Sequence, residues 1–155
     1  MSLRVVSIYQ PCRSKGALSV HEQQRRVLQE ANDDRKVRQA FLEDLREEVQ
    51  TWIEQGNQLV IMGDVNESVF GARIVNFFEE FDMRNIIFER HPDPNPPRTH
   101  LASPEGRVID GMWATRGITV TKCGYLEPGD FPGDHSLLYR PARVLQHNRP
   151  HHAGQ

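Results

Sequence analysis

Cysteine is scarce in this chain of 155 residues. Cys12 and Cys123 stand far apart, which excludes a disulfide framework and a zinc-ligand spacing. That usage points to a reducing compartment. Long apolar runs are also missing. No stretch of about 18 apolar residues exists, so no membrane span is expected. The N-terminus lacks the apolar core of a signal peptide, and an intracellular location, cytoplasmic or nuclear, is expected. A surplus of either charge is lacking too. The net charge is −2 and the pI about 6.4, so this is no basic nucleic-acid coat, and any phosphate binding must come from a local site. No internal repeat and no linker is visible.

What is present suits one folded domain. Apolar residues make up 37% and charged residues 26%, a balance that folds rather than stays disordered. The domain is expected over residues 1–142. The tail from 143 to 155 has the composition of a disordered segment, and "HNRPHH" within it reads as flexible tail rather than metal site.

"LRVVSIYQP" has the β-formers of a buried strand, ended by Pro11. "CRSKGALS" is a loop carrying Arg13 and Lys15. Val20 to Ala31 is an early helix or an irregular run. Asn32, Asp33 and Asp34 suit a helix start, and Val37, Phe41, Leu45, Val49, Trp52 and Ile53 follow as one apolar stripe, stopped by Gly56. "QLVIMGD" is short and nearly all apolar, so a central strand covered on both faces is expected. A helix is expected from Ala72 to Phe81, then a strand at "RNIIFE" and a long loop through "RHPDPNPPRTHLASPEG". "RVIDGMWAT", "ITVTKCGYL" and "SLLYRPARV" read as the remaining strands. Strands and helices mix, with strands clustering late. That predicts a layered α/β protein with a mixed, largely antiparallel sheet.

The stretch "IMGDVNESV", residues 61 to 69, ends an apolar run in an Asp and then an Asn. Alone it reads as a turn, because Gly, Asp and Asn all favour turns. Tyr9, Asp110, Asp134 and His135 have equally plain readings one by one. Together they are harder to dismiss. Three apolar strands each present a carboxylate at an end or facing edge, one with an Asn beside it and one with a His. Such a carboxylate is costly unless paired or bound to a metal. Phosphodiester hydrolysis needs this combination: an acid to activate water, a hard cation, and donors for the developing charge.

"VSIYQP", "IMGDVN", "VIDGMWA" and "GDHSLL" occur in this order. They resemble the closing half of the endonuclease/exonuclease/phosphatase superfamily, the DNase I-like fold, and look closest to its retroelement-type endonuclease domains. The resemblance implies that Asp64 activates the attacking water and that Asn66 binds the phosphate or that water. It implies that His135, held by Asp110, contacts the scissile phosphate. Asp134 would lie at the metal with Asp64, Tyr9 would face the phosphate, and Thr99 or His100 would line the site. The implied cofactor is Mg²⁺ or Mn²⁺ and the implied substrate nucleic acid, with Arg13 and Lys15 on its backbone.

The chain also departs from that family. The opening half, with its Asn strand and its metal-binding Glu, has no counterpart here, and Glu67 and Glu79 do not stand in the Glu motif. Gly111 replaces the larger residue that commonly follows the Asp, and looser packing is expected there. Half of a sandwich leaves one sheet face bare, which soluble monomers rarely tolerate. Pairing with a second copy, or with an opening half made elsewhere, is therefore expected. Two alternatives stand beside the nuclease reading: an inactive remnant that lost its metal Glu, and a phosphatase of a small phosphorylated molecule.

Overall fold

A computed structural model describes residues 2–14, 16–92, 98–100, 107–126, 135 and 138–139. It is a mixed α/β fold. In chain order the elements are β1 (Ser2–Tyr9), α1 (Val20–Glu30), α2 (Val37–Glu54), β2 (Asn57–Asp64), α3 (Ala72–Glu80), β3 (Met83–Asn85), α4 (Ile86–Arg90), β4 (Asp110–Thr115), β5 (Gly124–Tyr125) and β6 (Leu138–Tyr139). The main sheet runs in the order β1-β2-β4-β3. β1 is parallel to β2, and β4 is antiparallel to both β2 and β3. β5 and β6 form a separate antiparallel pair. Among the described residues no helix is long and apolar enough to cross a membrane.

The apolar run of β2 works as expected. Leu59, Val60 and Ile61 are fully buried, with alternate residues feeding opposite faces. On one face Leu59, Ile61 and Trp113 pack with Leu42, Leu45 and Val49 of α2 and Ile74, Phe77 and Phe78 of α3. Each large side chain fully buried here contributes roughly 1.5–3 kcal/mol. On the other face Val60, Met112 and Ala114 meet Ile86 and Ile87 of α4 and the chain around Ile118, Val120 and Cys123.

That second cover stops short of β1. Val5 lies opposite Val60 in the parallel register, yet Val5 is 55% exposed, and its neighbours Leu3 and Tyr9 are exposed at 38% and 48%. β1 is thus an edge strand with one open face, not the buried strand its composition suggests. Apolar content says that a strand wants cover, not that cover is present.

Other differences have local causes. "RNIIFE" divides into β3 and α4, because Asn85 caps the helix by accepting from the Phe88 N–H at 3.4 Å. Asp33 does not open α2; it binds the Arg35 guanidinium at 2.6 Å, and α2 starts at Val37 after Lys36. Residues 20–30 are a genuine helix, with the Ser19 hydroxyl accepting from Glu22 N. Of "ITVTKCGYL" only Gly124 and Tyr125 are strand; Ile118, Val120 and Cys123 still point inward as plugs for β4. At Gly111 the packing is tight rather than loose. A Cβ there would sit 2.3 Å from the Trp113 ring, and that ring stacks on Phe78 at 3.9 Å. The Trp indole fills the space that a side chain at residue 111 would take.

Candidate functional site

Register builds the site. Tyr9 pairs with Asp64 at the shared end of β1 and β2, and Asp64 pairs with Asp110 across β2 and β4. Directly opposed residues share a face. Three chemically active side chains therefore form one row across three adjacent strands.

Asp64 is held by the residue two places on. Its Oδ1 accepts from the Asn66 backbone N–H at 2.6 Å, and its Oδ2 from Asn66 Nδ2 at 3.1 Å. Nδ2 also donates to the Gln10 carbonyl at 2.7 Å, which ties the loop to the end of β1. Asn66 reaches this position with φ +48°, a conformation Asn tolerates better than most residues. Both Nδ2 hydrogens are engaged, so Asn66 acts on Asp64 here. Burial, then the nearby Asp110 charge, raises the Asp64 pKa; the Asn66 N–H and the two histidines oppose this without cancelling it.

His135 stands between the two acids. Its Nδ1 is 3.0 Å from Asp110 Oδ2, and its Nε2 is 3.9 Å from Asp64 Oδ2, beyond hydrogen-bond length. The His100 ring lies 4.8 Å away, tilted by 36°. Thr99 is fully buried, and its hydroxyl accepts from the N–H groups of Ile109 and Asp110. The Tyr125 hydroxyl donates to the Asp110 carbonyl at 2.8 Å, and burial raises its pKa. The backbone that presents Asp110 is fixed from both sides.

Ligand atoms of Asp64, Asp110 and His135 lie within 4.8 Å of one another. Mg²⁺ takes oxygen ligands and is commonly held by one or two carboxylates together with substrate phosphate and water. The two carboxylates fit that pattern. His135 does not, because Mg²⁺ prefers oxygen ligands to imidazole nitrogen.

Glu67, beside this row, is engaged through one oxygen, Oε1. Its carboxylate accepts from Gln10 Nε2 at 2.9 Å, Arg38 Nη2 at 2.8 Å and Arg73 Nη2 at 2.6 Å. Arg38 also donates to the carbonyls of Val65 and Asn66. Burial pushes the Glu67 pKa up, but hydrogen bonds from Gln10 and Arg73 and the two positive charges prevail and hold it below its ordinary 4.5. A depressed carboxylate pKa stabilises the fold above the unfolded value, and that stabilisation is lost as pH falls through the folded value. Glu67→Gln is therefore expected to cost about 2 kcal/mol at neutral pH, by stranding a mostly buried guanidinium. Urea unfolding should show the gap to wild type closing as pH falls below 4.5. A gap that stays constant with pH would contradict this.

The structure brings together Tyr9, Asp64, Asn66, Asp110, His135, His100 and Thr99. Arg13 lies apart, in a cleft with Arg38 and Arg73. Lys15 and Asp134 are outside the described residues. Sequence reading missed Gln10, Glu67, Arg38 and Tyr125 as supports. Arg38 did leave a signal: residues 38, 42, 45 and 49 share one buried helix face, and a charge on such a face needs a partner.

No protein-family model matches the chain, and no curated protein does. Among solved structures it is similar to the human Nocturnin catalytic domain, determined with a bound sulfate anion. The TM-score is 0.47 at 19% identity over 63% of this chain. The match spans 36% of that domain, about a third of its length.

Proposed function

We propose that this chain is a divalent-metal-dependent phosphodiester hydrolase acting on nucleic acid. The observation that carries this reading is His135 set between Asp110 and Asp64 at the ends of adjacent strands. Asp64, made more basic than an ordinary carboxylate by burial, accepts a proton from the attacking water. Asn66 fixes that carboxylate. Asp110 orients the imidazole through Nδ1, so that Nε2 meets a phosphate oxygen on the Asp64 side and offsets its developing charge. Tyr9 borders the same row. Asp64 and Asp110 would hold a Mg²⁺ or Mn²⁺ ion, whose charge would neutralise the phosphate oxygens. Tyr9 is 48% exposed and the His135 side chain 37%, so the row is open outward, as a polymeric substrate requires. The finer reading as a retroelement-type endonuclease rests on the order of the sequence motifs. Nicking of supercoiled plasmid tests the proposal. It is expected with Mg²⁺, absent with EDTA, and reduced at least about 100-fold in His135→Ala. Cleavage that survives EDTA, or full activity without the histidine, would reject it.

The open face of β1 supports a second element of the reading. Leu3 and Val5 are exposed on the side where the sheet lacks cover. Glu67 is paired with two arginines through Oε1, and their positive charge disfavours a cation beside it. The working unit is then a pair, with β1 packed against a second copy or against an opening half supplied separately. Light scattering is expected to show about twice 17.9 kDa at micromolar concentration. A well-folded monomer that cleaves DNA unaided would remove the need for pairing.

A further inference from the structure

A second feature lies apart from the acid row and meets, through Arg38, the loop that follows Asp64. The loop before α1, α1 itself and the start of α2 enclose a cleft of about 930 Å³. Its lining carries six cationic side chains, Arg13, Arg25, Arg35, Lys36, Arg38 and Arg73, against two acids, Asp33 and Asp34. The chain as a whole is slightly acidic, so this concentration of cations is local.

Not all of that charge is spent internally. Arg35 is taken up by Asp33, Glu43 and Asp44, and Arg25 by Glu22. Arg38 and Arg73 share one carboxylate, that of Glu67. Arg38 is mostly buried, and its Nε has no hydrogen-bond partner. Among the described residues Arg13 and Lys36 have no acidic partner. The cations also oppose one another: burial, and then the charges of Arg73 and Arg13, lower the Arg38 pKa against the pull of Glu67. Such a cleft gains stability by taking in negative charge.

The lining also says which kind. Among the described residues it contains no Phe, Tyr or Trp, and His21 is its one ring against six cationic side chains. Recognition therefore falls chiefly on phosphate rather than base. Through Arg38 the cleft is bonded to the carbonyls of Val65 and Asn66, the loop that positions Asp64. We propose that this cleft holds backbone phosphates of the nucleic-acid strand that flanks the acid row. The proposal rests on the hydrolase reading for the identity of the ligand, but phosphate binding needs no catalysis.

The test is therefore made in EDTA, where no metal-dependent cleavage occurs. Binding of a fluorescein-labelled 20-nucleotide single strand is followed by anisotropy across a salt series, for wild type and for the Arg13→Ala, Lys36→Ala double variant. Both residues are exposed, so a matched thermal unfolding curve serves as the fold control. The Arg46→Ala, Arg116→Ala double variant removes equal charge elsewhere. Loss of two phosphate contacts should lower the slope of log K against log salt by about 1.4 and weaken low-salt binding about tenfold. The control variant should change both far less. Equal losses in the two variants would mean a diffuse field and overturn the proposal. So would an unaltered slope, or no binding by wild type at low salt. Failure of plasmid nicking with intact, cleft-dependent binding would reject the hydrolase and leave the cleft standing. Nicking with a cleft-independent slope would do the reverse.

Discussion

Asp64→Asn is expected to reduce Mg²⁺-dependent nicking about 1,000-fold while leaving the fold at least as stable as wild type. The two effects share a cause. Asp64 is largely buried, and burial with the neighbouring Asp110 raises its pKa. A carboxylate whose folded pKa is raised costs the folded state free energy at neutral pH, because ionisation is easier in the unfolded chain. The amide carries no charge, so that cost disappears, and this is expected to outweigh the one bond given up, from Asn66 Nδ2, which an amide nitrogen cannot accept. The chemistry disappears with it. An amide cannot accept the proton of an attacking water, and it is a poorer ligand for a hard cation. Plasmid nicking and thermal melting of the same preparation decide the matter. A variant that melts many degrees lower would make Asp64 a structural residue. Retained nicking would remove it from the proposed mechanism.

Gly63→Ala is expected to be the most damaging single methyl in the molecule. Gly63 sits in β2 opposite Ile8 of β1, with φ +151°. A Cβ at this position would lie 1.9 Å from the Ile8 carbonyl oxygen. Backbone cannot swing aside as a side chain can, because that carbonyl belongs to a paired strand. The strands must part, and a loss of about 3 kcal/mol is expected, a large share of the stability of an ordinary domain. Gly56→Ala separates the clash from the conformational cost. Gly56 also has a positive φ, +79°, but nothing lies within 4 Å of the place its methyl would occupy. About 1 kcal/mol is expected there. Chemical denaturation of the two variants should rank them clearly. Similar losses would show that φ, and not the approach of Ile8, governs residue 63.

The site was legible where chemistry sits at the end of an apolar run. β2 and β4 announce themselves by composition, and Asp64 and Asp110 by standing where such runs stop. Their alignment in one row follows from register, which composition does not encode. The α4 segment was hidden for a different reason. "IIF" suits a short strand and a short helix equally, and only the Asn85 side chain, bonded to a nearby N–H, decides for helix. The exposure of β1 was hidden because it depends on what lies beyond the strand. Arg38 was legible only as a charge on a buried helix face; its partners were hidden because they come from residues 65 to 67, and a pairing across that distance leaves no local pattern.

The edge position of β1 governs how function fails. The site depends on contacts far apart in sequence: the Gln10–Asn66 hydrogen bond alone spans 56 residues. One side of that contact belongs to the strand with the least cover. Local opening draws first on elements with few buried neighbours. β1 can therefore detach from β2 while the helices and the Trp113 stack stay packed, and amide exchange along β1 would be faster than along β2. Each such opening takes Tyr9 and the Gln10 anchor of Asn66 away from Asp64. In the unpaired chain the integrity of the acid row is then set by the endurance of one peripheral strand, and that row is expected to come apart on warming before the protein melts.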